Sequence, residues 1–180
     1  MIKGNALLAK LRHFIPENNL KTIYNSLVQT HLDYGNLSWR TCANTNLKNI
    51  EKLQNKAVRI ISFKNKEDSP TPLYKQLQIL PLKFNIYFNQ CKILWQLVHS
   101  QLPYSIINIF NNHGVKLSER ESDRKVYKLY NPYQRTSYGI NFIFYSGTKT
   151  WNLIIPDKIR TIITIRRFKK ELTNHLLSLV

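Results

Sequence analysis

The sequence predicts a mostly α fold: a helical bundle followed by a mainly helical extension with a small β element. Three observations predict it. Apolar residues recur at helical spacing through most of the first hundred positions. Glycine and proline are scarce, at 5 and 7 of 180 residues. One stretch, residues 138–145, has the alternation and the β-branched and aromatic content of a strand. At 43% apolar and 12% aromatic, the chain has the surface to bury that a disordered basic tail lacks. Its length suits one ordinary domain or two small ones, and its character changes after Asn112, where a charged, weakly periodic segment runs to Tyr130.

The elements follow in order. Leu7, Leu8 and Leu11 set a first helix from Ala6 to Phe14, stopped by Pro16. A second helix begins near Asn18 or Asn19, either of which can cap it. Leu20, Ile23, Tyr24, Leu27, Val28, His31, Leu32 and Gly35 lie on one side of it. Gly35 either admits a neighbouring helix closely or marks the helix end. A third helix runs from Asn44 or Thr45 to Ser62. Leu47, Ile50, Leu53, Ala57, Val58, Ile60 and Ile61 share one arc, and Lys48, Lys52, Lys56 and Arg59 share the opposite one.

A polar loop then leads to a short helix capped by Ser69 or Thr71, with Pro72 in its first turn. From Pro81 to about Ser100 the helix is apolar around most of its circumference, the pattern of an element central to a bundle. A short helix follows Pro103 through Phe110. The strand at residues 138–145 ends in a turn at Ser146-Gly147, and Trp151-Asn-Leu-Ile-Ile-Pro156 reads as a short buried turn. A last helix starts at Thr164 and turns Phe168, Leu172, Leu176 and Leu179 inward, with Arg166, Arg167, Lys169 and Lys170 crowding its first half.

The charge narrows the partner. Twenty-seven Lys+Arg against 10 Asp+Glu leave a formal net charge of +17, an excess that calls for an anionic partner, nucleic acid first among them. No uncharged apolar run reaches the roughly 18 residues of a membrane span, and the first residues are too charged for a secretory leader. Two cysteines, Cys42 and Cys91, make no disulfide framework, which fits a reducing intracellular compartment, nucleus or cytoplasm.

Self-contained catalysis is not visible. A two-metal polymerase or nuclease needs clustered carboxylates, and the one adjacent acidic pair, Glu67-Asp68, sits in a Lys-rich loop. Glu119, Glu121 and Asp123 alternate with Arg120 and Arg124 nearby, the pattern of a charged loop. His13, His31, His99, His113 and His175 are scattered without zinc-ligand spacing, and His31 reads as a packed or boundary residue. No nucleophile elbow, phosphate-binding glycine loop or dinucleotide fingerprint is present. The expectation is therefore no catalytic residue, no metal and no cofactor in this chain. Of the aromatic residues that could stack on bases, Tyr34, Trp39, Tyr145 and Trp151 are all expected in the core.

Three blocks in register carry a resemblance. They are Leu20-Lys-Thr-Ile-Tyr-Asn-Ser-Leu-Val-Gln-Thr-His-Leu-Asp-Tyr-Gly-Asn-Leu-Ser-Trp39; Leu53-Gln-Asn-Lys-Ala-Val-Arg-Ile-Ile61 with Pro72-Leu-Tyr-Lys-Gln-Leu-Gln-Ile-Leu80; and Arg135-Thr-Ser-Tyr-Gly-Ile-Asn-Phe142 with Trp151-Asn-Leu-Ile-Ile-Pro156. Together they resemble the C-terminal end of reverse transcriptases of jockey-like non-LTR retrotransposons. The chain departs from that pattern in Ile155, where the family usually has leucine before proline, and in lacking Thr-Arg after His113. The resemblance implies a thumb-like helical bundle at residues 1–62 and a post-thumb extension at 63–180. The catalytic palm of an RNA-directed DNA polymerase, with its paired aspartates, would lie on a different part of the polypeptide.

A thumb grips the template–product duplex by its backbone, which needs cations on a rigid face rather than base-reading groups. Lys48, Lys52, Lys56 and Arg59 meet that need, and Arg166, Arg167, Lys169 and Lys170 form a second candidate patch. The implied partner is RNA, DNA or their hybrid, bound without sequence preference, and no membrane. A rival expectation is a helical interaction module that packs on absent palm and fingers or self-associates, leaving the apolar helix from Leu82 to Ser100 partly uncovered in isolation.

Overall fold

The described residues of the computed structural model, 1–42, 44–117 and 127–180, are mostly helical. Glu119, Arg120, Glu121, Asp123 and Arg124 lie outside them. The chain divides into two units, Met1–Asn85 with Leu176–Val180, and Ile86–His175.

The first unit contains α1 (Ile2–Leu11), α2 (Glu17–Tyr24), a π-helical turn (Asn25–Gln29), α3 (Thr30–Asp33), α4 (Asn36–Trp39), α5 (Asn44–Ile61) and α6 (Thr71–Leu77), and the start of α7 (Leu82–Val98). Helix α5 is the spine, with α1, α2 and α6 packed on it. Its buried residues, Gln54, Ala57, Val58, Ile60 and Ile61, recur every three to four positions, so its charged residues are left on the opposite face.

The second predicted helix is α2, the π-turn and α3 in succession, and the π-turn has a physical reason. The residues it buries are Leu20, Tyr24, Val28 and Leu32, a strict four-residue repeat. In an α-helix each four-residue step over-rotates by about 40°. A turn closed by i→i+5 bonds takes up that excess and keeps the row on the core. Leu27 and His31 are left at the surface, so His31 is exposed rather than packed. Gly35 adopts φ +61° between α3 and α4 and so marks a helix end. Tyr34, expected in the core, is 86% exposed. It lies at the break, where its carbonyl accepts the Trp39 indole N–H at 2.9 Å, and Trp39 is half-buried.

A polar network fixes the register of this unit. Gln54, fully buried, donates from Nε2 to the Tyr24 hydroxyl at 3.1 Å and to the Leu80 carbonyl at 3.0 Å. The Tyr24 hydroxyl donates to Gln29 Oε1 at 3.1 Å, and Asn5 Nδ2 donates to the Leu53 carbonyl at 2.8 Å. Each such bond contributes about 1 kcal/mol net, and breaking one strands a buried partner at greater cost.

Four helices end in the same reversal. The N–H just after a left-handed residue bonds back to the carbonyl five positions earlier: Lys64 to Arg59 at 2.9 Å, Ile79 to Tyr74 at 3.0 Å, Gln101 to Gln96 at 2.8 Å and Val115 to Phe110 at 3.0 Å. The left-handed residue in each is Phe63 (φ 55°), Gln78 (54°), Ser100 (51°) and Gly114 (77°). Only one of the four is the glycine this geometry favours.

The second unit holds the rest of α7, then α8 (Tyr104–Asn112), α9 (Ser137–Asn141), a second π-turn (Ile143–Gly147), α10 (Thr148–Leu153), α11 (Asp157–Arg160) and most of α12 (Ile165–Ser178). Its core is built around Trp95, Trp151 and Phe168, all fully buried, with Phe168 5.7 Å from the Trp95 ring and 5.9 Å from the Trp151 ring. Both indole N–H groups are satisfied, Trp95 by the Ile162 carbonyl and Trp151 by the Tyr127 carbonyl, each at 2.7 Å. In α7 every residue but Lys83 is buried or half-buried, and Phe84, Tyr87, Phe88, Ile93, Leu97 and Val98 are among the half-buried ones.

Residues 138–145 are not a strand. Thr136 caps α9 by accepting the Gly139 N–H at 3.0 Å, and the chain re-enters a helical turn at Ile143 after one extended residue, Phe142. The expected turn at Ser146-Gly147 is helical, and Trp151 lies inside α10. Alternating aromatic and β-branched residues specify a strand only if a partner strand takes their backbone groups. Among the described residues the β pairing is a single bridge, Leu117 to Leu129, and helical turns satisfy those groups locally instead.

Candidate nucleic-acid interface

Lys48, Lys52 and Lys56 are exposed on one face of α5, and Arg59 is half-buried at its end. At 1.5 Å per residue the row spans about 16 Å. The single carboxylate on this helix is Glu51.

The structure turns part of that row into a groove of about 670 Å3. Its lining is Lys52, Asn55, Lys56, Arg59, Ile60, Lys64 and Lys66. Lys64 and Lys66 come from the loop after α5, and the reversal at Phe63 folds that loop back. Arg59 holds it there, donating from Nε to the Asp68 carbonyl at 2.7 Å. Asp68 in turn accepts the Asn65 N–H at 2.7 Å on its carboxylate and donates its own N–H to the Asn65 carbonyl at 3.3 Å. Lys48 lies on the same helical face but outside the groove lining.

The polar groups of this groove donate. Four ammonium groups and a guanidinium have no acceptor to offer. Asn55 uses its side-chain oxygen to accept the Tyr74 hydroxyl at 2.7 Å, so its NH2 is what it has left. Burial pushes the Tyr74 hydroxyl well above the ordinary tyrosine pKa, which keeps it a donor. No carboxylate belongs to the lining. Such a concavity repels cations and holds anions.

In the second unit, Arg166, Arg167, Lys169 and Lys170 are exposed on α12, on the opposite side from buried Phe168, Leu172 and Leu176. They form a convex patch on a helix face. Of the other aromatic candidates, Trp151 is fully buried and Tyr145 half-buried, so neither presents a free ring. The sequence reading missed Lys64 and Lys66, whose only signal was a polar loop.

Among the described residues no group of three or more His, Cys, Asp or Glu side chains gathers as a metal would need, and no helix is long and apolar enough to cross a membrane. Burial pushes the Cys91 thiol up, away from reactivity. No protein-family model, curated protein or solved structure matches this chain.

Proposed function

We propose that this chain binds nucleic acid by its phosphate backbone, without sequence preference, through the cationic face and groove of α5. The observation that carries this reading is five cations and no carboxylate around one concavity, in a chain of net charge +17. Phosphate contacts of this kind position a duplex and read no bases. Arg166, Arg167, Lys169 and Lys170 add a second backbone contact. The resemblance of the three sequence blocks supports a more specific reading: the chain is a thumb and post-thumb part of a retrotransposon reverse transcriptase. On that reading it holds RNA, DNA or hybrid product, and the polymerase chemistry belongs to a palm elsewhere. Two measurements test the proposal. Duplexes of unrelated sequence should bind with affinities within about threefold of each other. Primer extension with template, nucleotides and magnesium should yield no product; incorporation by the purified chain would refute the non-catalytic reading.

One observation favours a second reading, an interaction module. A groove of about 610 Å3 in the first unit is lined by Met1, Ile2, Leu7, Leu27 and Leu53, with Lys3 and His31 beside them. Ile2, Leu7 and Leu27 are exposed there, and palm and fingers or a second copy would cover them. A monodisperse monomer by light scattering that takes up no hydrophobic dye would count against it.

A further inference from the structure

We infer that residues 127–138 of the second unit form a binding edge for single-stranded nucleic acid, on whose unpaired bases Tyr130 and Tyr133 stack. This goes beyond backbone gripping by α5: it uses different residues, a different ligand form and a different physical interaction.

The first observation is the exposure of three tyrosines within nine positions. Tyr130 is 62%, Tyr133 82% and Tyr138 61% exposed. None of the three hydroxyls has a hydrogen-bond partner among the described residues, so no hydrogen bond ties these side chains to the rest of the unit.

The second observation is that the backbone carrying Tyr130 is pinned although it is neither helix nor sheet. Asn152 pairs with both backbone groups of Leu129, accepting its N–H at 3.0 Å and donating to its carbonyl at 2.6 Å. The Tyr130 N–H donates to the Lys116 carbonyl at 2.7 Å. Thr148 donates to Asn131 Oδ1 at 2.7 Å, and Trp151 donates to the Tyr127 carbonyl at 2.7 Å. Pro132 is buried between two exposed neighbours. Tyr138 stands in the first turn of α9, its ring 5.8 Å from Phe142. A backbone fixed before the ligand arrives loses little freedom on binding, so only the side-chain torsions of the tyrosines remain to be ordered. Tyr130 and Tyr133 are three residues apart, at most about 11 Å of extended chain, so one short strand reaches both.

The third observation is charge. From Tyr127 to Pro156 the sequence contains no Asp or Glu, while Lys128, Arg135 and Lys149 lie within it, and Lys116 is joined to Tyr130 through the backbone. Aromatic faces among cations, with no base-reading carboxylate, are the requirements of sequence-tolerant single-strand binding. A duplex hides its base faces and cannot use such rings.

The test is fluorescence anisotropy of the full chain with labelled oligo-dT, oligo-U and a blunt duplex at one ionic strength. Stacking that contributes its usual amount per ring makes Tyr130→Ala/Tyr133→Ala bind the single strands at least ~10-fold more weakly, with duplex affinity unchanged. The Tyr130→Phe/Tyr133→Phe pair, which keeps the rings, binds like the parent and controls for folding. Lys52→Gln/Lys56→Gln shows the reverse preference, weakening duplex first. Three results overturn the inference: a parent that binds duplex but no single strand, an Ala pair that binds single strands like the parent, or an Ala pair that loses both ligands by the same factor. Each leaves the α5 proposal standing. Loss of duplex binding in the parent itself overturns that proposal instead and leaves this one to the single-strand data.

Discussion

Replacing Lys52, Lys56 and Arg59 by glutamine should flatten the salt dependence of duplex binding by a calculable amount. The α5 row and its loop offer six cations to phosphate: Lys48, Lys52, Lys56, Arg59, Lys64 and Lys66. Each phosphate neutralised on B-DNA adds about 0.9 to the slope of log K against log salt. Six contacts give a slope near −5.4, so affinity falls about 1,800-fold between ~50 and ~200 mM salt. With three removed the slope is near −2.7 and the fall about 40-fold. Contacts from α12 steepen both lines equally, so the difference of about 2.7 belongs to α5 alone. Anisotropy titrations of a mixed-sequence duplex over a salt series read it directly. Arg59 also holds the Asp68 carbonyl, so Lys52→Gln/Lys56→Gln, which leaves that bond in place, should lose about 1.8 of slope. A slope that moves by less than about half a unit in both variants would mean that this face does not touch phosphate.

Three further outcomes follow from the fold. Ser100, at φ 51°, occupies a glycine position with an exposed side chain. Ser100→Gly should therefore stabilise the second unit by about 0.5–1 kcal/mol, and Gly114→Ala, at φ 77° with its Cβ meeting Pro132 at an ordinary 3.5 Å, should destabilise it by about 1 kcal/mol through the backbone alone; circular-dichroism melting reads shifts of about 2–4 °C per kcal/mol. Burial raises the pKa of both Tyr24 and Tyr74 above the ordinary tyrosine value. Their folded forms hold protons that the unfolded chain releases, so their contribution is complete below pH ~10 and is lost as pH rises beyond it. Tyrosinate absorbance should show these two of the ten tyrosines ionising only as the first unit unfolds. Asn152→Ala removes two hydrogen bonds to Leu129; it should cost about 2 kcal/mol and speed amide exchange at Leu129 relative to the Trp151 core.

Legibility in the sequence followed how local each signal was. Helix α5 was readable to within a residue because its apolar repeat, its polar start and its basic face lie within one run of eighteen residues. The strand at residues 138–145 was misread because its propensity is local while a strand's partner is not. Tyr34 was misplaced because the core of the second helix follows a four-residue row that only a π-turn can align. The helix ends at Phe63, Gln78 and Ser100 carried no glycine to announce them. The cations of α5 could be named one by one, but Lys64 and Lys66 join them only through hydrogen bonds at Arg59 and Asp68 that no spacing rule encodes. The tyrosine edge escaped for the same reason: its rigidity comes from Asn152, Thr148 and Trp151, more than a dozen residues along the chain.

The end of α5 joins these observations. Arg59 accepts Lys64 through its carbonyl and holds Asp68 through its guanidinium, so one residue both closes the helix and draws two more lysines toward its own charge. Phe63 sits at φ 55° to permit that fold, with the Arg12 guanidinium over its ring at 5.4 Å. In the free chain the arrangement is unfavourable on two counts. A non-glycine residue in the left-handed region costs about 1 kcal/mol. Cations one turn apart, at about 6 Å, repel by about 0.7 kcal/mol per pair in water before screening. The first is the cost of closing the helix, met also at Gln78 and Ser100; the second does nothing for the fold. A phosphate between the cations reverses the sign of the second, which is why the groove at the end of α5, rather than total charge alone, directs the functional reading to a bound polyanion.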